Sequence, residues 1–274
     1  MASRRTAGFT LVELLIVIAI IALLAGVTLV ALRSARVFVG ASTARQRLDD
    51  LSQALEIYKQ KYGEYPPDCC ATDAEIQRHI LKRWPNALKS GKLKGDDGMV
   101  TIAREQMKKG PGWALLFWLA GMDAEGFLAD AKEPIVDPAT IAPDEPREEP
   151  VLELSYDSDG TGNGNWNDSG LMFKGNPIIY FRADPKTGYD GKDFHVGGAE
   201  AAPYMKNGQW YMPDSFQLIY SGDDGDFGSD PFGDEEHGGP YVAKDVNDSS
   251  TITPADKDNV TNFTGGATIE SEID

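Results

Sequence analysis

The sequence predicts an α+β fold, in which one long N-terminal helix packs on a small antiparallel sheet and the C-terminal region is rich in loops. Three observations predict it. An apolar run near the N terminus passes without a break into an amphipathic stripe. Short β-type segments, each bounded by Gly, Pro or Asp, follow in the second half. Around them, 29 Gly and 16 Pro mark frequent turns.

The helix comes first. Residues 9–32 carry a single charge, Glu13, with Arg4 and Arg5 before the run and Arg33 and Arg36 after it. About 20 apolar residues span a bilayer as a helix, and a secretory signal has a shorter apolar core of roughly 7–15. The run therefore reads as a membrane segment. Charge does not orient it, because arginines flank both ends. Beyond it Val37, Ala41, Ala44, Leu48, Leu51, Leu55, Tyr58 and Tyr62 recur at alternating spacings of four and three, one face of a continuing helix. Gly63 and Pro66-Pro67 end it. A helix over 9–62 is on the order of 80 Å long. Its stripe is expected to pack on the chain's own globular part.

The later elements are shorter. Residues 74–84 and 106–119 read as helices, the second with the apolar patch Trp113, Leu115, Leu116, Phe117 and Trp118. Residues 134–150, rich in Pro, Asp and Glu, read as an exposed loop. Residues 151–156, 177–182 and 215–221 read as strands. There is no internal repeat. The expected organisation is a basic leader over 1–8, the long helix over 9–62 with 9–32 in the membrane, and a globular part over 63–274.

Charge narrows the function. The chain of 274 residues has a formal net charge of −17, which argues against a nucleic-acid partner, since that needs Lys and Arg to neutralise phosphates. An acidic excess suits a soluble surface or a hard cation. No His-Glu-x-x-His, G-x-S-x-G or phosphate-binding Gly-Lys-Ser/Thr motif is present, and Lys186-Thr187-Gly188 reads as a turn. His79, His195 and His237 have no ligand spacing, and the five tryptophans suit core or subunit contacts. Cys69 and Cys70 are adjacent, closer across a trans peptide than disulfides favour. No enzymatic role is expected.

Gly8-Phe9-Thr10-Leu11-Val12-Glu13, between a basic leader and the apolar run, resembles the class III signal of type IV pilins and pseudopilins. The resemblance implies cleavage after Gly8 by a prepilin peptidase and N-methylation of Phe9. Residues 54–59 with Tyr65-Pro66 resemble the helix end of the major, G-type pseudopilin of type II secretion. Gly175-Asn176-Pro177 with Tyr180, residues 218–225, and residues 258–263 follow that family's C-terminal order. The chain departs from it in a long insertion at about 68–174, a second at about 228–257, and Val30 where a Pro often bends the helix.

The resemblance also implies roles. A carboxylate near the start of a membrane helix is costly and commonly has a partner. Glu13 of one subunit would pair with the Phe9 amine of a neighbour and set filament register. Asp224 and Asp258 would be side-chain ligands of a calcium ion, with Asp223 and Asp226 as further candidates and carbonyls of 218–221 beside them. Independently, Asp157, Asp159, Thr161, Asn163 and Asp168 fall at EF-hand positions, although the last replaces the usual Glu. Asp245, Asn247, Ser249, Thr251, Thr253 and Asp256 repeat that spacing without the sixth-position Gly.

The expected function is a structural one: a pseudopilus subunit of type II secretion, forming a homo-oligomeric filament. Its expected partners are minor pseudopilins, the prepilin peptidase and the inner-membrane assembly platform. Before assembly it would cross the bacterial inner membrane once, with its globular part in the periplasm; the filament would be periplasmic or at the cell surface. Two rival expectations are a type IV pilin for adhesion, motility or DNA uptake, and a membrane-anchored calcium-dependent binding module or enzyme.

Overall fold

The computed structural model describes residues 11–129, 132–156, 166–167, 170–189, 194–196, 199–228, 244–248, 251–265 and 268–273, and in the first helix it describes the side chains of 11–22, 24 and 40–62. That helix, α1, is Leu11–Tyr62. Gly63 stops it at φ +81°, and its amide donates to the Lys59 carbonyl at 2.7 Å, a left-handed cap that suits glycine. Among the described residues no helix is long and apolar enough to cross a membrane. The expected span over 9–32 begins before them and runs past Leu24 into residues whose side chains lie outside the description.

The distal half of α1 behaves as its spacing requires. Ala41, Ala44, Leu48, Leu51, Leu55 and Tyr58 are buried, Ala54 joins them, and Tyr62 is half-buried at the rim. This stripe crosses the main sheet at its last two strands.

Among the described residues three further α-helices follow: α2 (Asp73–Arg83), α3 (Met99–Met107) and α4 (Trp113–Leu115). A capping box begins α2, with Thr72 Oγ1 accepting from the Glu75 amide and Glu75 Oε2 accepting from the Thr72 amide. The helix expected over 106–119 is instead broken. Gly110-Pro111-Gly112 ends α3 and starts α4, which runs into a π-turn over Leu116–Ala120. Gly112 also lies against residue 170, where a Cβ would sit 2.3 Å from the Leu171 nitrogen.

The strands are β1 (Trp166–Asn167), β2 (Gly170–Phe173), β3 (Asn176–Arg182), β4 (Phe194–Val196), β5 (Ala199–Ala201), β6 (Tyr204–Lys206), β7 (Gln209–Trp210), β8 (Phe216–Tyr220), β9 (Lys244–Asp245) and β10 (Val260–Thr261). The main sheet is antiparallel in the order β1-β2-β3-β8-β10, with Ile178 opposite Tyr220 and Arg182 opposite Phe216 at its centre. A hairpin, β4-β5, and a second small sheet, β7-β6-β9, lie beside it in sequence.

The strand expected over 151–156 does not form. The Val151 and Leu152 amides both donate to the Leu119 carbonyl, and only Tyr156 makes an isolated bridge, to Trp166. Its alternation is used to half-bury Val151, Leu152 and Leu154 against the core. The segment over about 68–174 shares that core, with Trp84, Trp118 and Phe127 in one cluster with Leu48 of α1 and Ile179 of β3.

The segment after α1 is fastened to β3. Tyr180 Oη donates to the Pro66 carbonyl at 2.9 Å, the Arg182 amide donates to Asp68 Oδ2 at 2.8 Å, and Arg182 pairs with Glu75 at 3.0 Å. Cys69 and Cys70 lie in this junction as thiols, Sγ to Sγ 3.7 Å.

Candidate functional site

Gly8 and Phe9 lie outside the described residues, and Glu13 stands in the first turn of α1. Around it the helix shows apolar side chains to solvent on every side: Leu11 is 77% exposed, Leu14 57% and Ile21 59%. Polar residues normally face water on a single-chain helix, and here the exposed side chains are apolar.

The acidic turn forms at the end of β8. Gly222, at φ +66°, lets the chain reverse, and the Gly225 amide donates to the Ser221 carbonyl at 3.2 Å. The turn meets residue 258: the Asp223 amide donates to Asp258 Oδ2 at 2.8 Å, and a Cβ on Gly222 would lie 2.3 Å from that carboxylate. Asp258 Oδ1 is buried and, among the described residues, accepts no hydrogen bond. Burial pushes the Asp258 carboxyl above its ordinary pKa; the Asp223 and Asp224 amides oppose the shift, and their carboxylates add to it. Asp224 Oδ1 accepts from the Asp226 amide and Asp226 Oδ1 from the Gly228 amide, both at 2.9 Å, so each also shapes its own turn. The Leu218 and Ser221 carbonyls are already used, by the Asn262 and Gly225 amides.

The chemistry fits a hard cation at one point, the buried Asp258 Oδ1, since an orphaned carboxylate oxygen is what such an ion relieves. The described atoms stop short of a closed cage. Among the described residues no three His, Cys, Asp or Glu side chains gather where they could hold a metal.

Asp157, Asp159, Thr161, Asn163 and Asp168 lie outside the described residues. The second EF-like stretch has other work. Asp245 accepts the Asn207, Gly208 and Asn247 amides, and Thr251 Oγ1 accepts the Asp245 amide. Asp256, fully buried, faces an ammonium: Lys244 Nζ donates to Asp256 Oδ1 at 2.5 Å, to the Phe227 carbonyl at 2.6 Å and to the Gly228 carbonyl at 2.7 Å. Tyr204 Oη, the Thr253 amide and Thr253 Oγ1 also donate to Asp256. The pair is satisfied on every side, as a buried ion pair must be. The sequence holds no local sign of it, because Lys244 and Asp256 are separated from Phe227 by an acidic stretch.

Sequence reasoning also missed a relay where the end of α1 meets α2. His79 is fully buried; its Nδ1 lies 2.7 Å from Glu64 Oε1 and its Nε2 2.7 Å from Tyr58 Oη. Arg83 Nη1 donates to Tyr58 Oη at 3.3 Å, and Arg83 pairs with Glu148 at 3.1 Å. A neutral imidazole that donates to Glu64 and accepts from Tyr58 satisfies all of these bonds. Burial lowers the His79 pKa more than Glu64 raises it, and the His79 hydrogen bond is the main cause that draws Glu64 down to about 2. The order carboxylate, imidazole, hydroxyl matches hydrolytic triads, but Tyr58 and His79 are both sealed in the core, and burial pushes the Tyr58 hydroxyl far above its ordinary range. It is a structural relay.

Residues 3–29 match the prokaryotic N-terminal methylation motif, a type IV pilin-like signal. No curated protein and no solved structure matches the chain.

Proposed function

We propose that the chain is a structural subunit of a type II secretion pseudopilus. It is inserted once in the bacterial inner membrane with its globular part in the periplasm, cut after Gly8 by a prepilin peptidase and N-methylated at Phe9. It then polymerises with copies of itself and with minor pseudopilins on the inner-membrane platform. Its work on this reading is assembly, not catalysis.

One observation carries the proposal. The methylation motif over 3–29 runs directly into α1, whose first described turns expose apolar side chains all round while its distal half is buried on the chain's own sheet. A helix divided in this way suits a subunit held first by lipid and then by neighbouring helices. Glu13 has the same logic: a carboxylate in that apolar segment is best retained by pairing with a neighbour's Phe9 amine. Asp224 and Asp258 would hold a calcium ion, which would supply positive charge to the orphaned Asp258 oxygen and tie the turn after β8 to residue 258.

The mass of the N-terminal peptide from membranes tests the processing. The expected peptide begins at N-methyl-Phe9; an intact segment 1–8 in assembled protein overturns the reading.

A further inference from the structure

An open groove of about 600 Å³ lies in the insertion, between α3 and the segment 133–140. That volume falls inside the range of roughly 300–1,000 Å³ usual for ligand pockets. Its floor is aliphatic, with Met99 and Ile135 buried and Ile102 and Val136 half-buried. Its rim is acidic: Asp96, Asp97, Glu105, Glu133 and Asp137 stand against a single cation, Lys92.

The charges are unbalanced after internal pairing. Lys92 is already committed to Glu133 at 2.9 Å, and Asp137 accepts the Ala139 amide. Among the described residues none of Asp96, Asp97 and Glu105 takes part in an ion pair. Three carboxylates thus border an apolar trough without an ion-pair partner among the described residues. They do not gather as a metal site, since no described group of three acidic, His or Cys side chains does so.

We propose that this groove docks a basic, extended segment of a partner protein, one that places Lys or Arg heads on Asp96, Asp97 and Glu105 and an aliphatic residue on Ile102 and Ile135. Long cationic side chains match both parts of the surface, because their methylene stems lie on apolar floor while the charged heads reach a polar rim. Charge complementarity selects the occupant: nucleic acid and acidic peptides are repelled by the rim, and a second copy of this chain brings a net charge of −17. The inference does not rest on the filament reading. It concerns a face built by the insertion, away from α1's apolar segment in sequence.

The experiment uses the full chain in detergent and fluorescence anisotropy of a labelled Lys-Leu-Lys-Leu-Lys peptide. A Ser-Leu-Ser-Leu-Ser peptide and a Lys-Ser-Lys-Ser-Lys peptide test the two halves of the match. The Lys-Leu peptide is expected to bind best, with a strong loss on adding salt. Asp96→Asn/Asp97→Asn/Glu105→Gln should weaken it by about tenfold or more. Asp49→Asn/Asp214→Asn/Glu270→Gln makes the same charge change at exposed positions outside the groove and should alter binding less than about twofold. Equal loss in both triple variants would show attraction to overall charge and overturn the proposal. So would retained binding in the groove variant, or loss of self-association in that variant with no peptide binding in the wild type. A thermal melt of each variant guards against misfolding, and Ile102→Ser gives a second, uncharged variant whose affinity for the Lys-Leu peptide should also fall.

Discussion

His79 is the residue at which protonation and packing are most tightly joined. Its imidazole is neutral, sealed between Tyr58, Glu64 and Trp118, with the Arg83 and Arg182 charges also lowering its pKa. A histidine whose folded pKa lies below its unfolded value of about 6.5 binds fewer protons folded than unfolded. Its stabilising contribution is therefore complete above about pH 6.5 and lost progressively as pH falls toward the folded pKa. Glu64, drawn down to about 2, acts in the same direction at lower pH: its contribution is complete above its unfolded value of about 4.5 and lost as pH falls toward 2. The melting temperature of the full chain should thus drop between pH 7.5 and 5.5, a window in which few carboxylates titrate. His79→Gln should melt lower than wild type at pH 7.5, by about 1–3 kcal/mol for a broken buried hydrogen bond, yet show a flatter profile over that window. An equally steep profile in the variant would place the titrating group elsewhere.

Elements were legible in the sequence in proportion to their length and periodicity. The stripe from Ala41 to Tyr58 is regular over several turns, so its burial on the sheet could be read from spacing alone. β3 and β8 were legible because each is a β-branched or aromatic run closed by turn residues. The two-residue strands β1, β7, β9 and β10 have no such signal, since their pairing is decided by distant partners. Residues 106–119 differ from their apolar pattern for a local reason: Gly110-Pro111-Gly112 interrupts the helix although apolar residues continue on both sides of it. Candidate sites divide the same way. The N-terminal signal is a contiguous motif and was visible at once, whereas Lys244–Asp256 and Glu64–His79–Tyr58 exist only after folding. Gly112 gives this a test at the scale of the element. It holds α4 against β2 so closely that a Cβ would lie 2.3 Å from the Leu171 nitrogen and 2.4 Å from its oxygen. Backbone cannot yield as a flexible side chain does, so Gly112→Ala should destabilise by about 1–3 kcal/mol or more, as overpacking does. Denaturant midpoints would show it, and Gly208→Ala, with nothing within 4 Å of the added carbon, shows what a positive φ alone costs.

At the scale of the whole molecule, the long stretch between the turn after β8 and residue 258 raises the question of how the two come together at all. Closing a long loop costs entropy, although that cost grows only slowly with length. Here the Lys244 ammonium, which holds the Phe227 and Gly228 carbonyls and the Asp256 carboxylate, brings both ends of the intervening stretch to one buried point. Residues 223 and 258 are then already in contact, through the 2.8 Å bond from the Asp223 amide. A calcium ion would bind a turn that is closed beforehand, and this makes its effect separable from that of the ammonium. A ligand bound only by the folded state adds about 2.7 kcal/mol at 100 times its Kd, which shifts the melt by a few degrees. Calcium should therefore raise the melting temperature of the chelator-treated full chain, and magnesium should replace it poorly because it demands a tight octahedron. The gain should shrink in acid, where the Asp258 carboxyl, pushed up by burial, takes a proton instead of a metal. Asp258→Asn and Asp224→Asn should each remove most of the gain, and neither touches the Lys244 cage. Lys244→Met should instead lower the melt without calcium by about 3–5 kcal/mol, because Asp256 is left as an unpaired buried charge. If calcium produces no shift in the wild type, the aspartates of the turn serve only the backbone bonds they already accept, and the Lys244 ammonium is the cation that closes this region.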